Sequence, residues 1–209
     1  TVWDETIVLP GNKIGELAAM ARRKGDDWYI GILNGGAEKI ISIDLSFIGD
    51  GHFETVSFSD DLEIPDDMIR QEMVVDKSDK MKIEMQAGGG FVVRLTKTDA
   101  PRSRIEPVYD SNYLTESMPV ALKSSNPKGA IYFTMDGSSP TTKSNAYSEP
   151  IKVSKPFVLK AAVLSEKKVL CFSETRFYLP KAPLIKTAPG IFYQTKKIEI
   201  AKTENNAQI

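Results

Sequence analysis

Cysteine and histidine are almost absent: Cys171 and His52 are the sole residues of their kinds in 209. A structural zinc site takes about four Cys or His ligands, so it is excluded. A nucleophile–histidine–acid arrangement would have only His52 as its base. His52 follows the turn residues Gly49-Asp50-Gly51 and leads into an alternating segment, which reads as an exposed strand end. Cys171 lies among Val169, Leu170 and Phe172 and reads as a small core hydrophobe rather than a nucleophile. A charge excess is also lacking. The 27 basic and 28 acidic residues leave a net of -1, with no basic stripe, so neither nucleic acid nor an anionic membrane surface is expected as a partner. The longest apolar runs reach about five residues, against roughly 20 for a membrane span, so no span is expected. The chain opens on Thr1-Val2-Trp3 rather than Met, so a preceding segment is expected and no targeting segment can be read.

What is present alternates with a period of two. Lys39 to Phe47 places Ile41, Ile43, Leu45 and Phe47 on one face and Ser42, Asp44 and Ser46 on the other, the pattern of a half-buried strand. Met81 to Met85 and Phe53 to Phe58 repeat it. Leu17 to Arg23 and Trp28 to Leu33 flank the polar linker Lys24-Gly25-Asp26-Asp27, which predicts a hairpin. Phe91 to Leu95 forms a strand after the corner Gly88-Gly89-Gly90. Residues 61–72 show no alternation and read as a long loop. Residues 1–98 thus form one antiparallel sandwich. The polar, proline-bearing stretch from Thr98 to Pro107 marks the boundary to the next domain.

Residues 107–180 read as a second, smaller Ig-like module, with strands at Pro119 to Lys123, Ile131 to Thr134, Ile151 to Val153, Phe157 to Val163 and Val169 to Phe177. Between the second and third lies the turn Met135-Asp136-Gly137-Ser138-Ser139-Pro140, where Asp136 can cap the backbone and Gly137 can take a positive φ. Residues 181–209 look like the opening third of another copy: Ile209 falls on Ile131, and Ile198 and Ile200 fall on Val120 and Leu122. Such a piece buries too little apolar surface to order itself. It is expected to dock as added strands or to continue into a further segment. The fold class is therefore all-β: two tandem antiparallel β-sandwich (Ig-like) modules plus a partial repeat.

Candidate chemistry is sparse. Gly88-Gly89-Gly90 lacks the Gly-Lys-Ser/Thr and helix N-terminus of a phosphate loop and reads as a backbone corner. The pairs Asp4-Glu5 and Asp26-Asp27 point to opposite sides of an extended chain, so neither can flank one glycosidic bond. Asp136 with Asp110 or Glu149 falls short of the six to eight oxygens calcium takes. Trp28, Tyr132 and Tyr147 are the candidates for stacking on a sugar ring, although Trp28 shares a strand face with Ile30 and Ile32, as a core residue would. No catalytic, cofactor-binding or metal-binding residue emerges.

Trp3-Asp4-Glu5-Thr6, Gly15-Glu16, the run from Ala21 to Gly31, Asp44 to Phe47 and Gly88 to Phe91 together resemble the C-terminal β-sandwich of glycoside hydrolase family 97, over residues 1–97. One departure is Gly35-Gly36, since the family commonly has an aromatic after Asn34. Residues 107–179 resemble the chitobiase/β-hexosaminidase C-terminal domain, through Tyr132 to Thr141, Tyr147, Pro150-Ile151 and Lys160-Ala161. These resemblances imply a non-catalytic accessory region of a larger secreted bacterial α-glucosidase or α-galactosidase. They imply an upstream (β/α)8 barrel of the same polypeptide as partner, with calcium in that barrel and an α-linked glycan as its substrate. They also imply a periplasmic or secreted location. The family's catalytic glutamates and calcium ligands match no position here. The alternative is a carbohydrate-binding module using exposed aromatics. The purified chain should leave a chromogenic α-glycoside intact; release of the chromophore above the buffer rate would overturn the non-catalytic reading.

Overall fold

The computed structural model describes residues 2–64, 67–114, 116–126, 129–165 and 168–180, with the backbone of Leu184–Ile185 and Ile200–Ala201. The described residues contain no α-helix, and every pair of named strands is antiparallel. The all-β reading is correct. The partial repeat lies outside the described residues, except that Leu184–Ile185 pairs with Ile200–Ala201.

The first module comprises β1 (Glu5–Val8), β2 (Leu17–Lys24), β3 (Asp27–Asn34), β4 (Lys39–Asp44), β5 (His52–Asp60), β6 (Met68–Val75), β7 (Lys80–Met85) and β8 (Gly90–Thr98). One layer runs β1-β2-β3-β8-β5-β6, and β4 and β7 pair as a two-stranded second layer. Alternation decides which side chains meet between the layers. Trp28, Ile30 and Ile32 of β3, Phe91, Val93 and Leu95 of β8, and Met81, Ile83 and Met85 of β7 all enter one core. Trp28 is 2% exposed and packs edge-on against Phe47 at 5.0 Å between ring centroids.

Several local expectations are refined. Lys24 pairs with Asp27, so the β2–β3 loop is the two-residue Gly25-Asp26. Gly25 takes φ 61°, as a primed hairpin turn requires. β4 ends at Asp44 because the Asp44 carboxylate accepts the Ser46 N–H at 2.9 Å and starts a short 3-10 turn, Ser46–Ile48. His52 opens β5 as expected but is half-buried rather than exposed. Along β5 the inward residues are Phe53, Thr55 and Ser57, while Val56 faces out.

The long loop expected over residues 61–72 is corrected: it ends at Asp67, and β6 begins at Met68. β6 escapes a pattern search because its burial does not alternate. It does not face one core and one solvent side, since it lies at the seam with the second module.

That module contains β9 (Ile105–Val108), β10 (Met118–Ser124), β11 (Ala130–Thr134), β12 (Asn145–Ala146), β13 (Ile151–Val153), β14 (Phe157–Ser165) and β15 (Lys168–Phe177). One layer runs β13-β10-β9 and the other β15-β14-β11-β12. Val120, Val153, Leu159, Val163, Cys171 and Phe177 fill the space between them. β15 also pairs with β6, through Phe172 opposite Glu72 and Ser173 opposite Gln71. The larger layers of the two modules are thereby one 10-stranded sheet, while their cores stay separate. Trp28→Ala should cost about 3–5 kcal/mol in denaturant unfolding, as large aromatic truncations in packed cores do. A loss below about 1 kcal/mol would mean that the indole does not carry this core.

Candidate functional site

The three aromatic candidates do not converge. Trp28 is sealed inside the first module. Tyr132 and Tyr147 are half-buried in the second, on opposite faces of its sheet: Tyr132 packs with Ala162, Leu164 and Phe172, and Tyr147 packs on the main core. Among the described residues no tryptophan, tyrosine or phenylalanine is exposed. A flat sugar-stacking platform would need one.

Of the charged candidates, Asp4, Glu5, Asp27 and Asp136 are committed elsewhere. Asp4 accepts the Lys24 ammonium at 2.9 Å and the Gly25 N–H at 2.7 Å, which together hold its carboxyl below the usual range. Glu5 pairs with Arg23 at 3.1 Å and Asp27 with Arg94 at 2.7 Å. Asp136 accepts the Ser138 hydroxyl at 2.6 Å and its N–H at 3.0 Å, an Asx-turn whose hydrogen bonds lower the carboxyl pKa. Among the described residues no three His, Cys, Asp or Glu side chains gather to hold a metal ion. Cys171 is fully buried, and burial pushes its thiol up to about 12, which removes it as a nucleophile.

The glycine corners explain two sequence features. Gly88 takes φ 77°. Beside it the Gly90 N–H donates to the Asp60 carboxylate at 2.7 Å, and a Cβ on Gly89 would lie 1.9 Å from that carboxylate. The triple glycine therefore receives a carboxylate of its own chain, not a phosphate. Gly35, where the family commonly has an aromatic, would place a Cβ 2.9 Å from the Gly15 carbonyl oxygen, so this tight turn admits no side chain.

Sequence reasoning missed the seam between the modules. Asp61, at the end of β5, has a fully buried side chain. Its carboxylate accepts the Tyr178 hydroxyl at 2.7 Å and the N–H groups of Glu63 and Ile64 at 2.8 and 3.1 Å. Arg176 Nε lies 3.1 Å from Asp61 Oδ2, within ion-pair reach but out of line for a hydrogen bond. The rest of the guanidinium reaches Asp67 at 2.6 Å and Glu174 at 3.2 Å. Burial disfavours the Arg176 charge, but these carboxylates outweigh it and its pKa rises. The Tyr113 hydroxyl bonds Glu63 across the same seam. No short motif announces this cluster, because Asp61 and Tyr178 lie 117 residues apart in sequence.

Burial, then the bond to Asp61, raises the Tyr178 phenol well above the ordinary value of about 10. A raised folded-state pKa gives stability that is present below the unfolded value and lost as pH climbs past it. Tyr178→Phe should therefore flatten the alkaline limb of the stability–pH curve. An unchanged slope above about pH 10 would contradict this role.

Comparison with known proteins meets this architecture at both modules. Residues 2–96 match the family described as glycosyl-hydrolase 97 C-terminal, oligomerisation. Residues 109–169 match the chitobiase/beta-hexosaminidase C-terminal domain. A retaining alpha-galactosidase of Bacteroides thetaiotaomicron is 38% identical over 98 residues, which are 46% of this chain and 15% of the relative. A solved glycoside hydrolase family 97 enzyme from Pseudoalteromonas sp. strain K8, in complex with acarbose, is 28% identical over 46% of this chain and 16% of that one, with a TM-score of 0.44. A solved beta-arabinopyranosidase is 26% identical over 44% of this chain and 14% of its own, with a TM-score of 0.38. The matched region is thus a small part of each relative's length. In sequence order, the chain is thus similar first to the glycosyl-hydrolase 97 C-terminal family and then to the chitobiase/beta-hexosaminidase C-terminal domain.

Proposed function

We propose that this chain is a non-catalytic accessory region of a larger secreted α-glycosidase, in which residues 1–98 support the catalytic barrel and join copies of the enzyme. In this reading residues 107–180 form the second module and residues 181–209 a partial second repeat or a docked tail. The barrel ahead of them, not this chain, holds calcium and cleaves the α-linked glycan, in the periplasm or outside the cell. The relative's retaining alpha-galactosidase activity supports the substrate class.

One surface carries the reading. On the outer face of the larger layer, Val8 stands opposite Met20, Met20 opposite Gly31, Gly31 opposite Val92 and Val92 opposite Phe58. Val8 is 66% exposed, Val92 53% and the adjoining Leu33 69%. An added Cβ on Gly31 would meet no atom within 4 Å. This is an apolar row across β1, β2, β3, β8 and β5, exposed at Val8, Met20 and Val92 and half-buried at Phe58. Exposed apolar rows of this kind mark association surfaces. The matched family's description, oligomerisation, is the role such a surface fits.

The double variant Leu33→Asp/Val92→Asp tests it. Both sites are exposed, so the melting temperature should hold, with stability changed by no more than about 0.5 kcal/mol per site. In analytical ultracentrifugation the wild-type chain should sediment above its 23.1 kDa monomer mass and the variant at it. A wild-type chain that stays monomeric at high concentration would overturn the assembly role of this face.

A further inference from the structure

A polar cleft of about 380 Å³ opens where the modules meet. Its cause is in the strand pairing. β6 and β15 pair only at Glu72–Phe172 and Gln71–Ser173, and the ladder ends there. Above the shared sheet the second layers are narrow, β4-β7 on one side and β13-β10-β9 on the other, and they leave the seam uncovered. The edge of β7 and the end of β9 form the walls, through Lys82, Glu84 and Tyr109. Burial, then the nearby Glu84 charge, raises the Tyr109 phenol, so it stays a neutral donor.

The floor departs from the rest of the sheet. Inward positions elsewhere on these strands hold Phe53, Val93, Leu159 and Phe177. Facing the cleft, Ser57, Ser59, Gln71 and Thr175 stand beside Ile69 and Phe91, with Ser173 next to them. Ser57 and Ser173 are only 3% and 4% exposed. The Ser57 hydroxyl makes one long contact, 3.5 Å to the Gln71 carbonyl, so its capacity as donor and acceptor is poorly used. Hydroxyls at sheet positions otherwise given to Val, Leu and Phe forgo core burial on two strands at once. Such a concentration is the signature of a binding floor.

From this geometry we infer that the seam cleft binds a short neutral oligosaccharide. The lining chemistry selects it. Asp60, Glu63, Glu84 and Glu174 outnumber Lys82 and Arg176, which repels phosphate, sulfate and other anions. An apolar ligand would leave buried hydroxyls and the Gln71 amide unpaired. A polyol supplies both donors and acceptors, matching carboxylates and hydroxyls with one and the Lys82 and Tyr109 donors with the other. The volume lies at the small end of the range for small-molecule sites, which fits one or two sugar rings. The inference uses only the cleft and does not depend on the accessory role proposed for residues 1–98.

The test is amide chemical-shift mapping of the whole 209-residue chain with maltotriose, melibiose and cellobiose as probes. At least one should bind saturably with a Kd on the order of 1 mM or tighter, moving amides of Ser57, Ser59, Gln71 and Thr175. Ser59→Trp fills the cleft and should weaken binding at least about tenfold. Lys82→Ala removes an exposed wall donor without touching a core and should weaken it in the same direction, so a misfolded Ser59→Trp chain does not spare the claim. No saturable shifts with any probe would overturn the inference, showing a seam filled only by water. So would shifts confined to another surface, or binding indifferent to both variants.

Discussion

A carboxylate sealed between two domains is costly unless it is fully partnered, and Asp61 is the group on which the arrangement of this protein turns. Its side chain is wholly buried and comes from the first module. Its cross-seam partners, Arg176 and Tyr178, come from the second. If the modules separated, one side would keep a carboxylate that had lost a hydroxyl and a cation. The other would keep a guanidinium near Glu174 alone. Breaking a buried pair leaves an uncompensated charge, which is why such clusters fix geometry even when they add little net stability. The β6–β15 ladder and the ion pair from Lys168 to Glu54 at 3.3 Å act in the same direction. The cleft, the continuous sheet and the placement of the second module all follow from this one junction.

The sequence alone disclosed each module far better than their union. Alternation in β3, β7 and β8 names the inward residues correctly because one face is buried and the other wet. The Gly25 turn and the Asp136 turn are legible because their backbone demands are local. The first part of β6, Met68–Glu72, reads as loop because its burial does not alternate, and only Val74 and Val75 at its end are buried. His52 opens β5, as its sequence neighbours imply, but its half-burial depends on tertiary neighbours. The seam residues were invisible for a related reason. Ser57 looks like a solvent-facing polar position until the partner strand is known, and Arg176 looks like an edge charge. Of the aromatic candidates, Trp28 carried its own warning in sharing a face with Ile30 and Ile32. Tyr132 and Tyr147 carried none.

Carboxylates that the sequence offers as candidates are engaged locally in the fold. Four of the carboxylates singled out in the sequence are tied to a neighbour: Asp4 to Lys24, Glu5 to Arg23, Asp27 to Arg94 and Asp136 to Ser138. These are exposed partnerships worth little individually. At Asp4 and Asp136 the hydrogen bonds lower the carboxyl pKa, the opposite of the raised, poised acid that bond cleavage asks for.

The β6–β15 ladder also has a mechanical meaning. Backbone hydrogen bonds are directional, so even two residue pairs fix an angle as well as a distance. The angle is inherited from sheet twist, roughly −20 to −25° per strand. A peptide linker between domains acts as a string, permitting many orientations and transmitting no torque. A shared sheet acts as a bracket. Whatever grips the outer face of β2 and β3 therefore sets the heading of β11 and β12 at the far edge, and the second module extends from the first as a rigid outrigger.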